Sequence, residues 1–279
     1  MDNEEVPAKV LTTVREVLVP QVLLLTHPVF ALHGDAKLEL LGSCIIVASG
    51  EDRYVVTASH LANQASSARL MFGAGDELGE LRGKRWRVTT ANALSGADDD
   101  RADVSVIRLD GAVAVQLPED AATPLTAIEF ESVPDIRNPV LLLGYPCTKH
   151  RGARGEQPIE ANVYSVVVFE TELAEYNALA IDRSTHLAVS FNRKEVWHPG
   201  GGGTAPRLNG MSGSGVWRLS VYGGGPASSV RLAGLFIEHH QKVQIKHAIA
   251  TRLTAVLSVI ARTEPDLRDA LAAIGVRVA

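Results

Sequence analysis

The sequence predicts an all-β protein, a sandwich or a pair of barrels, with its clearest helix at the C-terminal end. Two observations carry that expectation. Short Val/Ile/Leu-rich runs of strand length, rich in β-branched residues, recur through the middle of the chain between Gly, Asn, Asp and Pro clusters. Helical periodicity is weak until about Thr251, where Leu253, Val256, Leu257, Ile260 and Ala261 recur at i, i+3, i+4 spacing.

Taken in order, residues 1–35 form an extension, either a packed first strand and helix or a partner-binding arm. The expected strands are Gly42–Ala48, Arg53–Thr57, Trp86–Thr90, Val104–Leu109, Pro139–Leu143, Ala161–Phe169, His186–Phe191, Val216–Val221 and Val230–Ile237. Gly223–Gly225 reads as a hairpin loop between the last two. Residues 251–279 form a helical segment. Glu264-Pro265-Asp266 divides it into two helices, because proline suits a first turn and acids favour a helix start.

The chain has 279 residues, 46% of them hydrophobic and 21% charged, which excludes wholesale disorder. With 27 Lys and Arg against 32 Asp and Glu, its net charge of −5 gives no global attraction to nucleic acid or an anionic membrane. Aromatic residues at 5% argue against base-stacking platforms. Cys44 and Cys147 cannot build a disulfide framework or a four-cysteine zinc site, and reduced thiols are the simpler reading. MDNEEVPAKV is acidic where a secretory signal is basic, and the apolar patch Val17–Leu25 is broken by Pro20 and Gln21. A cytoplasmic protein is expected.

Three short stretches carry chemistry. In Asn209-Gly210-Met211-Ser212-Gly213-Ser214-Gly215, a serine between glycines precedes a strand. Glycine at 210 lets the loop aim its N–H and that of Ser212 at one spot. In Tyr54-Val55-Val56-Thr57-Ala58-Ser59-His60, a histidine follows an apolar strand and a small-residue turn, where it can be held at a barrel edge. Asp103 opens the alternating run Val104–Leu109 and is placed to accept the histidine Nδ1–H. Asp98, Asp99 and Asp100 are alternatives for that role. Each stretch alone also has a plainer reading, as a glycine turn, a surface histidine or a turn aspartate.

Together, TASH, DVSVIRL and GMSGSGVW, in the order His, Asp, Ser, resemble the trypsin-like (chymotrypsin-fold) serine peptidases over roughly residues 38–250. Gly42-Ser43 ahead of the histidine and Leu232–Ile237 after the serine fit the same pattern. The resemblance implies two six-stranded antiparallel β-barrels over residues 36–250, with the site in the cleft between them. It implies that Ser212 attacks, His60 is the base, Asp103 orients it, and the Gly210 and Ser212 N–H groups hold the oxyanion. It implies no cofactor and no metal. The substrate is a protein or peptide, with no nucleic-acid or membrane partner, and a regulatory or effector protein partner stays open.

Some features of the family are missing. Cys44 lacks the cysteine partner beyond His60 that digestive members have, so the chain looks like a bacterial, intracellular member. Where trypsin has a pocket aspartate, six positions before the serine, stands Pro206 with Arg207 beside it, so a preference for basic residues is unsupported. Arg207 favours an acidic side chain or pairs with Glu238. Ile237, Glu238 and His239 are placed along the substrate edge. His239, His240 and His247 have no matching ligand set for a metal. A catalytically silent, peptidase-like binding or scaffold module is the competing reading.

Overall fold

The computed structural model describes residues 8–34, 37–75, 77–89, 102–114, 116–130, 138–147, 161–193, 205, 207–221, 227–242 and 245–277. Its strands form two antiparallel sheets, joined by one short parallel pairing in the first. In chain order the first sheet holds β1 (Thr26–His33), β2 (Lys37–Ser49), β3 (Asp52–Ala58), β4 (Arg69–Ala74), β5 (Glu77–Glu80), β6 (Gly83–Val88), β7 (Val104–Leu109) and β8 (Thr123–Pro124). The second holds β9 (Val140–Gly144), β10 (Tyr164–Val168), β11 (His186–Ser190), β12 (Gly215–Val221), β13 (Ala227–Lys242) and β14 (Ile245–Arg252). Their spatial orders are β5-β4-β1-β2-β3-β7-β6, with β8 on β2, and β10-β9-β12-β13-β14-β11.

The first sheet is curled. Its end strands β5 and β6 are separated in the chain only by Leu81 and Arg82, so its two ends are tethered within a two-residue span. Leu81 N–H donates to Leu70 on one side of that bend, and Asp110 N–H donates to the Arg82 carbonyl on the other.

Period-2 alternation gives each sheet two apolar faces. Cys44, Ile46, Val55 and Ile107 pack with Val29 and Phe72 in a core belonging to the first sheet. Val140, Leu142, Val166, Val216 and Phe236 form the corresponding core of the second. The intervening residues Ile45, Val47, Val56, Val106, Leu141, Leu143 and Trp217 meet in a third core shared by the two sheets. Two C-terminal helices, Leu253–Ala261 and Pro265–Ala273, bury Val256, Leu257, Ile260, Leu267 and Leu271 in that shared core. Glu264 occupies the N-cap position between them, with Pro265 in the first turn, so the helix break falls where the sequence placed it.

One open alternative is resolved in the structure, and one element differs from expectation. The stretch read as an extension contains β1, an interior strand between β2 and β4, preceded by helical turns Ala8–Thr13, Val14–Leu18 and Val19–Leu24. Of its two readings, the packed strand and helix is the one seen. Val14, Leu18 and Val22, spaced four apart, are buried in the shared core. β14 runs to Arg252, where a helical pattern was expected to begin at about Thr251. Its residues in the second sheet's own core are Ala248 and Ala250, whose small side chains give little strand signal. No helix among the described residues is long and apolar enough to cross a membrane.

Candidate functional site

His60 sits in a one-turn helix, Ser59–Ala62, directly after β3. Asp103 stands one residue before β7, the neighbour of β3, with a left-handed φ of 39°. Aspartate tolerates that region better than most residues, because its short polar side chain can bond locally. Here it does so twice. Asp103 Oδ1 accepts from the His60 backbone N–H at 3.0 Å, and Oδ2 lies 2.5 Å from His60 Nδ1. Ser59 N–H donates to the Asp103 carbonyl at 2.8 Å. The pairing fixes the imidazole plane and leaves Nε2 facing away from the carboxylate.

Ser212, just before β12 of the second sheet, packs against β2 of the first. Its carbonyl accepts from Ser43 N–H on β2 at 2.9 Å. A Cβ on Gly42 would lie 2.6 Å from Leu61, 2.7 Å from the Ser212 carbonyl and 3.2 Å from that of Gly210. Gly42 is therefore the point where the His60 turn and the Ser212 loop meet. A side chain there would force them apart. Gly213, at φ 86°, lies so close to the Ser43 carbonyl that its own Cβ would fall 1.9 Å from that oxygen. Beneath the loop, Ser43 Oγ accepts from Tyr145 N–H at 3.0 Å and from Ser214 Oγ at 3.2 Å.

Two bulges frame this seam. The β1–β2 register skips Leu41, next to Gly42, and the β13–β14 register skips Ile237. Bulges redirect backbone groups, and the Ile237 carbonyl accepts from Ser212 Oγ at 3.3 Å. Among the described residues, the N–H groups of Gly210 and Ser212 donate to no protein acceptor, whereas Met211, Gly213 and Ser214 all donate to carbonyls. Met211 is fully buried in the second sheet's core.

No protein-family model and no curated protein matches the chain.

Cys147 also lies beside the loop. A Cβ on Gly210 would lie 2.2 Å from its Sγ, and Cys147 N–H donates to Asn209 at 3.0 Å. Burial pushes its thiol pKa up, and that of Cys44 further, so both stay protonated near neutral pH. Neither is bridged.

The remaining expected residues are scattered. Ile237 is buried, with only its carbonyl turned to Ser212. Arg207 is exposed and Glu238 half-buried. His239 lies on β13, but its side chain, like that of His240, is outside the described set. Pro206, the Asp98–Asp100 run and the Gly223–Gly225 run also lie outside the described residues. Among the described residues, no three His, Cys, Asp or Glu side chains are grouped to hold a metal. The glycine at 42 was noted in sequence, but its role was not. A glycine inside a strand marks close backbone approach, and that signal was available.

Proposed function

We propose that this chain is a serine endopeptidase of the trypsin-like type, built on two antiparallel barrels with the site at their seam. The observation that carries the reading is the seating of the Ser212 loop on Gly42 and Ser43, beside a His60 already paired through Nδ1 to Asp103. The double-barrel architecture is supported by the separate core of each sheet and by the two-residue link between β5 and β6.

In this reading Ser212 Oγ attacks the scissile carbonyl carbon while His60 Nε2 takes its proton. Asp103 holds the neutral ring in the tautomer whose Nε2 is free, then stabilises the imidazolium. The oxygen of the tetrahedral adduct, now negative, is held by the uncommitted N–H groups of Gly210 and Ser212. Collapse breaks the C–N bond as His60 returns the proton to the leaving amine. Water, activated by the same histidine, then hydrolyses the acyl-enzyme. Two free, protonated thiols support a reducing, cytoplasmic location.

A silent module is favoured by one detail: the Ser212 hydroxyl bonds to the Ile237 carbonyl and, among the described residues, makes no hydrogen bond to His60. At 3.3 Å that bond is long, and rotation about one side-chain torsion releases the hydroxyl. Such hydrogen bonds are often loose before substrate binds.

A fluorophosphonate probe separates the readings. Covalent labelling of Ser212 is expected, with Ser212→Ala and His60→Ala each losing on the order of 10^4-fold or more in rate. Asp103→Asn, which suits the left-handed backbone and changes only the charge and tautomer, is expected to lose about 10^4-fold. A folded protein that never labels, or one labelled equally well without His60, would exclude the peptidase.

A further inference from the structure

Arg85 lies on β6, an element that contributes none of the residues assigned above. Its Nη1 donates to the Ala62 carbonyl at 3.0 Å, and its Nη2 to Asn63 Oδ1 at 3.0 Å and Ser105 Oγ at 3.1 Å. Ala62 ends the single helical turn that carries His60 and caps the 3-10 turn Asn63–Ser66 that follows it. Ser105 is on β7, two residues beyond Asp103. The Ser105 hydroxyl is also 3.0 Å from that of Ser59, the neighbour of His60, and both serines are fully buried. One guanidinium therefore grips the histidine turn at its far end and the aspartate's strand at its near end.

The residue type fits that task. Three acceptors on two elements match a planar, rigid fork, whereas an ammonium is a single point of charge. Arg85 is exposed overall, and partial burial and the neighbouring Arg87 both push its pKa down.

Building on the peptidase reading, we infer that Arg85 is a positioning residue, which fixes the His60 turn against the strand of Asp103 so that Nδ1 stays on the carboxylate. It touches no reacting atom. Its loss should let the turn shift by a fraction of an ångström or more, and misplacements of that size cost up to about 100-fold in rate.

The test uses full-length Arg85→Ala and Arg85→Lys proteins, with thermal unfolding to establish that each is folded. For Arg85→Ala, the maximal rate of fluorophosphonate labelling should fall about 10- to 100-fold, while the probe concentration giving half that rate stays unchanged. The far-downfield proton signal of His60 Nδ1–H should broaden or vanish. Guanidinium ion, added well below unfolding concentrations, should restore part of the rate in Arg85→Ala and none in the parent. Arg85→Lys should recover only part. Unchanged labelling with an intact His60 signal would overturn the inference, as would a loss matching the unfolded fraction with no rescue. If the parent protein never labels, the peptidase reading fails, but the His60 proton signal still decides whether Arg85 positions the pair.

Discussion

At the His60 corner, the functional groups are held by side-chain hydrogen bonds: Asp103 to ring and backbone, Ser59 to Ser105, and Arg85 across both elements. At the Ser212 loop they are held by backbone and by the absence of side chains. Gly42, Gly210 and Gly213 each sit where a Cβ would strike a neighbour. The two regions should therefore fail differently. Polar contacts can be weakened one at a time with the fold intact, while a steric seat is kept or lost as a whole.

The sharpest way to break the comparison is Gly213→Ala. The new Cβ would meet the Ser43 carbonyl at 1.9 Å and Thr57 Oγ1 at 2.8 Å, at a φ of 86° that alanine disfavours. Destabilisation above about 4 kcal/mol, or a loop thrown off β2, is expected, with labelling lost in either case. A Gly213→Ala protein with parental melting temperature and labelling would show that the loop is not seated on β2.

The Ser212 half carries a deeply buried charged cluster, whereas the network of Lys84, Arg108, Asp52 and Glu264 on the His60 half is mostly more exposed. Glu170, its side chain fully buried, receives Arg218 at 2.6 Å, Arg252 at 3.0 Å, Arg183 at 3.1 Å and the Tyr176 hydroxyl at 2.9 Å. Arg218, on β12 just past the serine loop, also pairs with buried Glu129 at 2.5 Å. Burial opposes ionisation of Glu170, but Arg252 and Arg218 outweigh it and hold its carboxyl below the usual range. At Glu129 burial wins, and the carboxyl is pushed up.

Glu170→Gln leaves three guanidinium groups undercompensated, so a loss of about 3–5 kcal/mol is expected near neutral pH. A carboxyl depressed in the folded state contributes stability above its unfolded pKa and loses it as pH falls through the folded value. The gap between parent and variant should therefore narrow between about pH 7 and about pH 3. Denaturant unfolding at both pH values measures it, and a gap independent of pH would contradict the assigned direction.

Legibility in the sequence followed the same division. Strands with β-branched alternation, such as Val104–Leu109, were placed to the residue. β1, β4, β5 and β14 were not, because Pro28, Gly73, Gly79 and the alanines of β14 dilute the pattern, and pairing with neighbours decides them. His60, Asp103 and Ser212 stood out because each is a reactive residue in a distinctive local setting. Arg85 did not. Its role lies in acceptors 20 to 23 residues away in sequence, a relation no local pattern encodes. The left-handed backbone at Asp103 and the bulges at Leu41 and Ile237 are likewise products of tertiary fit.

The smallest expected effect concerns activation. In the digestive members of the family that the sequence resembles, cleavage frees an N-terminus whose ammonium inserts and pairs with an aspartate immediately before the serine. That place here is taken by Met211, wholly buried among apolar residues of the second sheet's core. A thioether offers no charge to a buried ammonium, and an unpaired buried charge is strongly unfavourable. Met211 instead anchors the loop by packing, with its N–H already donated to the Leu208 carbonyl at 2.9 Å. The serine loop should therefore need no freed amine, and acetylating the N-terminus of the full chain should leave its labelling rate unchanged. Labelling that appears only after proteolysis, and disappears when the new amine is acetylated, would mean that the Ser212 loop is switched by charge and not seated by packing.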